Sequence, residues 1–294
     1  NYTLGHDAAG NMTDDGESYT YEWDAFYRLR RVWQRDGEPQ GPVAEYWYNG
    51  LGFLITRHQD TDSNGFVNSS DKKFHTAYDE RWRGVATFRD SDSSPKEQFL
   101  YHCAGNGGYG TSSYIDLVVL RDRDMTNGWT GAADGTLEKR HYYCQNWRAD
   151  VVALVDLDSG MAEWVKYSGY GIPFVMPWGD ADSDGDCDYA DDSIVSGWIT
   201  SGYDVRGDVD LDGDVDATDL SAVQNGHQTL RRGVLTASGV GNRKGYAGYE
   251  FDAKIGAKWH VRNRVFDSTL GRWLRRDPLG YFDIPSLYSY VTDY

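Results

Sequence analysis

Proline, cysteine and long apolar runs are what this sequence has least of. It holds only 7 prolines against 34 glycines, 22 tyrosines and 11 tryptophans. That balance favours many short strands joined by tight turns over a helical bundle. No apolar run approaches the roughly 20 residues that a helix needs to cross a bilayer, so the sequence predicts no membrane span.

The three cysteines, Cys103, Cys144 and Cys187, form no metal-binding motif, and their odd number says little about the redox compartment. Two interpretations stay open: Cys103 and Cys144 pair if their strands are neighbours, or the thiols are simply buried. The chain begins at Asn1 in strand-like sequence, without a starting methionine or a signal peptide. Such a start is typical of a piece of a longer or processed protein.

Basic residues are in the minority as well, since 29 Lys and Arg face 46 Asp and Glu, for a net charge of −17. Between Asp180 and Asp219 there are 14 aspartates and one arginine, a local charge of −13 that leaves −4 for the rest of the chain. The lack of a basic stripe excludes a general binder of nucleic acid or of anionic membranes. The acidity is therefore a local feature.

Two copies of one pattern make up this acidic stretch, GDADSDGDCDYADDSIVS (179–196) and GDVDLDGDVDATDLSAVQ (207–224). A hard divalent cation takes six to eight oxygens, which a curled 12-residue loop supplies, and a glycine at position 6 (Gly185, Gly213) allows the sharp turn. Positions 1, 3, 5, 7 and 12 fall on Asp180, Asp182, Asp184, Asp186 and Asp191 in the first copy, and on Asp208, Asp210, Asp212, Asp214 and Asp219 in the second. We predict one Ca²⁺ in each loop. The alternative is a solvated acidic loop without metal, in which the carboxylates repel one another.

Each loop ends in Asp where the usual EF-hand has a bidentate Glu, and one short helix-like segment follows each, over residues 193–202 and 220–230. This duplicated pattern resembles the type I dockerin module. The resemblance implies binding of a cohesin-like partner through loop positions 10 and 11, here Tyr189-Ala190 and Ala217-Thr218. Because the two copies differ at these positions, a symmetric cohesin surface is disfavoured, and a calcium-stiffened insert is the alternative.

A third stretch, DTDSNGFVNSSD (60–71), fits the same template, with Asp60, Asp62, Asn64 and Asp71 at positions 1, 3, 5 and 12. The sequence that follows it is typical of a strand and not of a helix. Two interpretations stay open: a calcium-binding turn within a β-hairpin, or a polar hairpin turn without metal.

The rest of the chain repeats an aromatic-x-aromatic pattern, followed by Asp or Asn, a turn bearing Gly or Arg, and an apolar alternation. Alternation with period two indicates strands, and we expect the acid or amide to cap the turn between them. Each unit is a hairpin whose aromatic face cannot be buried alone, so the hairpins must stack. The pattern occurs over residues 2–13, 19–32, 46–57, 76–88 and 142–171.

The C-terminal stretch, residues 245–290, carries an R-x-R-x-[FY]-D-x-x-L-G-R-[FW] run, then DPLG and Y-x-Y. With the repeats, it closely resembles the YD repeats and associated core of the Rhs family. The resemblance implies a mainly β fold, a spiral of YD-repeat β-hairpins with a small α-helical dockerin-like pair inserted. We predict YD-repeat hairpins over residues 1–178, the calcium-binding insert over 179–229, and the Rhs-associated core over 230–294.

In bacterial Rhs toxins and related toxin-complex shells, the core is an autoprotease with two aspartates, and Asp277 matches the first. The second belongs to an Asp-Pro stretch beyond the Y-x-Y, which this sequence does not contain. A two-carboxylate mechanism needs an acid and a base acting on one water, and Asp277 cannot fill both roles. We therefore predict a chain without enzyme activity, with Asp277 as a turn residue. The alternative is that cleavage removed the second half of the site.

These observations predict a bacterial, extracellular or cell-surface structural protein with a calcium-stabilised insert. Its two ends, NYTLG (1–5) and YSYVTDY (288–294), contain none of the Lys or Pro that would blunt a sheet edge. We therefore predict head-to-tail association into a filament or shell, unless flanking repeats of a longer chain cover both edges. The alternative functions are a shell fragment of a polymorphic toxin and a dockerin-type adaptor for a cohesin-like protein.

Overall fold

The aromatic repeats fold as antiparallel β-hairpins in the computed structural model of the chain, which is mainly β as the sequence predicts. The structure describes residues 3–35, 40–102, 117–156, 160–176, 179–182, 184, 186–210, 212–229, 231–236, 239–256, 258–278, 280 and 286–290. Two units are distinguished by their internal contacts: Asn1–Leu100, Asp122–Glu138 and Tyr249–Tyr294 form the first, and Tyr101–Arg121 and Lys139–Gly248 the second. The three-segment organisation stays a prediction.

The strands of the repeats pair antiparallel with their neighbours in the sequence. In chain order they are β1 (Gly5–His6), β2 (Met12–Asp14), β3 (Tyr19–Trp23), β4 (Leu29–Gln34), β5 (Ala44–Tyr48), β6 (Leu54–Gln59), β7 (Lys73–Tyr78), β8 (Gly84–Arg89), β9 (Glu97–Tyr101), β10 (Val118–Arg123), β11 (Lys139–Gln145), β12 (Val151–Asp156), β13 (Gly160–Tyr167) and β14 (Pro173–Met176). The later elements are β15 (Asp186–Cys187), α1 (Tyr189–Ser201), α2 (Ala217–Asn225), β16 (Gln228–Thr229), β17 (Arg231–Arg232), β18 (Glu250–Asp252), β19 (Lys258–Val261), β20 (Arg264–Asp267) and β21 (Arg272–Trp273).

One five-residue turn closes alternate hairpins. At Asp24, the carboxylate accepts hydrogen bonds from the backbone N–H groups of Phe26 (2.8 Å) and Arg28 (3.0 Å), two and four residues later. The same two hydrogen bonds are made by Asn49, Asp79 and Asn146. The prediction that an acid or amide caps the turn between strands is confirmed.

The fourth residue of this turn has a left-handed backbone. Its φ is +89° at Gly52, +60° at Tyr27 and +67° at Trp82. Glycine reaches this region without strain, whereas side chains with a Cβ enter it at a cost. Tyrosine and tryptophan therefore occur at this position as well, but only glycine adopts the positive φ without strain.

The tyrosine that precedes the capping residue braces its hairpin against the one before. The Tyr48 hydroxyl in β5 donates to the carbonyl oxygen of Leu29 at the start of β4, at 2.9 Å. The same bond joins Tyr78 to Leu54 and Tyr167 to Val151. A backbone carbonyl directly after the preceding turn thus gains a partner, and this gives the tyrosines before Asn49, Asp79 and Ser168 a structural role.

The C-terminal stretch completes the core of the first unit. Strands β18 to β21 form a four-stranded antiparallel sheet. Ile255, between β18 and β19, and Leu274, directly after β21, are fully buried in one cluster with Met12, Leu29 and Tyr46 from the repeats. The Tyr46 hydroxyl also donates to Asp252, at 2.7 Å. The Rhs-like core is therefore packed onto the first repeats and is not a separate tail.

In the second unit, the acidic stretch lies between β14 and β17, which pair with each other. Helices α1 and α2 begin at residues 189 and 217, earlier than the predicted starts at 193 and 220. The reason is capping: Asp188 and Asp216 accept hydrogen bonds from the N–H groups of Ala190 and Thr218, so the last loop positions already belong to the helix. Neither helix is long and apolar enough to span a bilayer, and the described residues contain no other that is.

Candidate calcium-binding loops

Three carboxylates converge in each acidic loop. One oxygen from each lies within 4.8 Å of an oxygen from each of the other two. These residues occupy positions 1, 3 and 12 of the predicted template: Asp180, Asp182 and Asp191 in the first loop, and Asp208, Asp210 and Asp219 in the second. The structure therefore brings together six of the ten predicted ligands in two groups of three.

The aspartate at position 12 closes each loop. Asp219 accepts hydrogen bonds from the N–H groups of Val209 (2.8 Å), Asp210 (3.4 Å) and Asp216 (2.8 Å), which are positions 2, 3 and 9. The first loop repeats this arrangement, with Asp191 bonded to the N–H groups of Ala181, Asp182 and Asp188. Position 12 therefore holds the start of the loop against the start of the helix that follows.

The acids at positions 3 and 5 curl the chain between these ends. Asp182 accepts from the N–H of Asp184, and Asp184 accepts from that of Asp186, both at 3.1 Å. The second loop shows the same bonds at 3.2 and 3.1 Å, through Asp210 and Asp212. Position 7 adds Asp186 to a further acidic group with Asp188 and Asp191, while Asp214 shares the second loop's turn with Asp212.

The aspartate at position 1 of the second loop has a buried carboxylate that is only partly hydrogen-bonded. Asp208 is only 4% exposed, and its Oδ2 accepts hydrogen bonds from the N–H of Gly213 (3.2 Å) and from the hydroxyl of Tyr203 (2.9 Å). Its Oδ1 is buried and accepts no hydrogen bond from any described residue. A buried carboxylate oxygen without a donor is unfavourable, and a cation held with Asp210 and Asp219 would satisfy it.

In the second loop, the glycine at position 6 has the backbone conformation that the calcium-loop template requires. Gly213 has φ +101°, a left-handed conformation in which its N–H points to Asp208. Gly185 lies outside the described residues. The turn that lets alternate acids face one point is therefore present in the second loop.

Burial and mutual repulsion raise the pKa values of three loop carboxylates. Burial and the charge of Asp219 raise the pKa of Asp210. The charge of Asp212, with burial, raises the pKa of Asp214, and burial, then the charge of Asp184, raises that of Asp186. Like charges held this close favour proton uptake or cation binding, and the loops offer a cation far more oxygen ligands than a proton can use.

The loops share one small core. Val215, at position 8 of the second loop, packs in a buried cluster with Cys187, at position 8 of the first, and with Val195 and Val223 of the two helices. The strand pairing of Cys187, however, is with β16 and not with the other loop. Cys187 is buried and Cys144 exposed, while Cys103 lies outside the described residues, so its pairing with Cys144 stays open.

The second loop lies directly against the sheet of its own unit. A Cβ placed on Gly160, at the start of β13, would lie 2.3 Å from the carbonyl oxygen of Asp210. No side chain fits between loop and strand, which is the reason for glycine there. A cleft of about 390 Å³ beside this contact is lined by Met161, Trp164 and Asp208 among others.

The turn over residues 60–71 has the same hydrogen-bond pattern. Asp71 accepts from the N–H groups of Thr61, Asp62 and Asn68, again positions 2, 3 and 9. The turn joins β6 to β7, which pair as a hairpin, so the predicted strand after it is confirmed. Asp60, Asp62 and Asp71 converge here as the acids of the other two loops do. Both oxygens of Asp60 accept backbone N–H groups, however, whereas Oδ1 of Asp208 accepts none, and this difference favours the polar hairpin turn over a metal site.

Positions 10 and 11 of the loops lie in the first turns of α1 and α2. Tyr189 is 79% exposed and its ring contacts His227, with 4.9 Å between the centroids. The second copy presents Ala217 and Thr218 instead. The two exposed surfaces therefore differ in shape as they do in sequence, and binding of a cohesin-like partner stays a prediction.

Asp277 lies in a turn of the first unit. Its carbonyl oxygen accepts the N–H of Gly280 at 3.1 Å, and its Oδ2 accepts a hydrogen bond from Nη1 of Arg264 at 2.7 Å. Asp277 also lines a cleft together with Arg275 and Arg276. These contacts fit the turn role, and the absence of enzyme activity stays a prediction.

Solved structures of toxin complexes share this fold. The TcdB2-TccC3-Cdc42 crystal structure is 14% identical with a TM-score of 0.53, and the TcdB2-TccC3 crystal structure is 15% identical with a TM-score of 0.51. The structure of the Photorhabdus luminescens Tc holotoxin pore is 15% identical with a TM-score of 0.50. Each alignment covers 97% of this chain and 10% of the other.

At this identity the similarity shows the fold alone. It supports the predicted Rhs-like shell fold for the hairpins and core, and it does not bear on the dockerin-like insert. No protein-family model and no curated protein matches the sequence.

Proposed function

We propose that the chain is a structural segment of an extracellular or cell-surface protein with an Rhs-like β fold, whose acidic insert is folded and stiffened by two calcium ions. The observation that carries this proposal is the buried Oδ1 of Asp208, which lacks a donor among the described residues. It belongs to a group of three converging carboxylates with Asp210 and Asp219. A cation in this group would remove both the repulsion and the unsatisfied acceptor.

Calcium suits this site better than other common cations. The donors are all oxygens, which excludes soft metals, and the loop is a flexible ring of carboxylates of the kind Ca²⁺ prefers over the stricter octahedron of Mg²⁺. Extracellular modules bind Ca²⁺ with dissociation constants of about 10⁻⁴–10⁻³ M, which fits an insert filled outside the cell. The proposed ligands are Asp180, Asp182, Asp184, Asp186 and Asp191, and Asp208, Asp210, Asp212, Asp214 and Asp219.

Isothermal titration of the full chain with CaCl₂ tests the proposal. We expect two ions per chain, and one ion in Asp208→Asn, because that change removes one negative ligand from the second loop alone. Asp204→Asn is the matched control: it also removes one aspartate charge from the insert, but its carboxylate is bonded to Arg206 outside the loops. No heat of binding in the native chain, or equal loss of binding in both variants, would contradict the proposal.

The second candidate is a shell segment of a toxin complex, favoured by the alignment of 97% of this chain with TcdB2-TccC3. In that function, Asp277 would belong to an autoproteolytic site. We expect Asp277→Asn to leave the mass of the mature product unchanged, because the carboxylate acts as a turn residue bonded to Arg264. Should the natural precursor extend past residue 294 and accumulate uncut in that variant, mass spectrometry would show it, and the toxin-shell function would replace the first proposal.

A further inference from the structure

A cleft of about 420 Å³ opens in the first unit beside the DPLG turn. It is lined by Arg275, Arg276, Asp277, Asn11 and Tyr27, among others. A cleft of this size accommodates a small ligand or a short peptide. It has no residue in common with the acidic loops.

Arg275 is the unusual residue of this cleft. It is only 7% exposed, and its backbone is fixed by a bridge to Asn11. Nη1 donates to the carbonyl oxygen of Tyr27 at 2.7 Å, but the buried Nε donates to none of the described residues. Within the part of the chain that the structure describes, its guanidinium makes no ion pair. Buried charges are normally paired.

The neighbouring acid does not supply the missing partner. Asp277 accepts its 2.7 Å hydrogen bond from Arg264, whose guanidinium is also stacked on Trp273, 4.1 Å from the ring centroid. Burial lowers the pKa of Arg264 and of Arg275, and the charge of Arg275 lowers that of Arg264 further. The two cations are therefore desolvated together, and the charges of Asp277 and Asp24 only partly offset the burial of Arg275.

Arg276 adds a third positive charge. It is exposed and its aliphatic part packs over Gly10, where a Cβ would lie 3.1 Å from Cδ of the arginine. Two arginines, Arg275 and Arg276, thus line the cleft together with Asp277, in a chain whose net charge is −17. An anion in the cleft would pair the buried charge of Arg275.

We propose that this cleft binds a carboxylate group, carried by an acidic side chain or by the free C-terminus of a peptide. The planar guanidinium of Arg275 matches a carboxylate in shape and can donate two parallel hydrogen bonds to it. The exposed Arg276 at the rim would steer the anion in and hold its second oxygen.

Three acetylated tripeptides test this and separate the two sources. Acetyl-Gly-Asp-Gly-amide carries a side-chain carboxylate, acetyl-Gly-Gly-Gly a terminal one, and acetyl-Gly-Asn-Gly-amide is the neutral match of the first. With binding followed by NMR chemical shifts of the calcium-loaded full chain, we expect at least one acidic peptide to bind and the neutral peptide to bind about tenfold or more weakly. The stronger acidic peptide identifies the source.

Substitutions of the two arginines then test whether the peptide binds in this cleft. Arg275→Gln and the exposed Arg276→Gln should each weaken the acidic peptide about tenfold. Arg35→Gln is the matched control, an arginine of the same unit paired with Asp14 at 3.4 Å, and should change nothing. If Arg275→Gln does not fold, Arg276→Gln keeps the test valid. Equal binding of the Asp and Asn peptides, tighter binding of inorganic phosphate, or unchanged affinity in Arg276→Gln would overturn the proposal.

Discussion

The repeat turn shows how much of this fold depends on single residues. Gly52 has φ +89° and an added Cβ would meet nothing within 4 Å, while Gly50 in the same turn also has open space and no left-handed φ. We expect Gly52→Ala to destabilise the chain by about 1–2 kcal/mol through backbone strain alone. Gly50→Ala, the matched control, should be neutral or slightly stabilising. Urea unfolding compares them, and equal midpoints would contradict the strain argument.

Asp79 gives the turn a pH dependence that Asn49 cannot have. Burial acts to raise the pKa of Asp79, but hydrogen bonds from the side chain and backbone of Arg83 outweigh it and the pKa lies below its ordinary value. A lowered folded-state pKa means that the stabilisation is present above about pH 4, the unfolded value, and is lost as the pH falls through the folded pKa. Asp79→Asn keeps the turn acceptor, so it should cost up to about 1 kcal/mol at pH 7 and nothing at a pH below the folded pKa. A cost independent of pH in urea midpoints would contradict this.

At the scale of elements, the hairpins, their turn caps and the paired acidic loops could be predicted from the sequence, because each depends on local spacing. The helix starts were predicted three or four residues late, since Asp188 and Asp216 serve as caps and as loop residues at once. The brace from Tyr48 to Leu29 was missed because it joins residues 19 positions apart, although the tyrosine before Asp or Asn was its visible signal. The unpaired charge of Arg275 could not be predicted, since burial is decided by packing.

The tyrosine brace makes an element-scale prediction. Tyr48→Phe removes the donor to the Leu29 carbonyl and should destabilise the first unit by about 1 kcal/mol, the usual net value of such a bond. Tyr27→Phe removes a hydroxyl from a half-exposed ring in the neighbouring turn and is the control. Thermal unfolding that ranks the control as the more damaging change would refute the brace.

For the whole molecule, association through sheet edges stays a prediction. Among the described residues β1 ends the order of strands and is only two residues long, and residues 1–2 and 291–294 lie outside them. Tyr288 is already bonded through its carbonyl to the N–H of Trp273, so the C-terminal edge is partly covered. We expect concentration-dependent mass in light scattering of residues 1–294, and a monomer at every concentration would rule self-assembly out.

The central claim is that calcium folds the insert while the sheet stands without it, because coordination and local folding are one event. Amide hydrogen exchange of the full chain, with calcium and with a chelator, tests it most directly. The amides of Ala181 and Val209, bonded to Asp191 and Asp219, and those of α1 and α2 should lose protection on chelation, while β3 to β8 keep theirs. Equal exchange over residues 180–225 in both conditions would contradict the account.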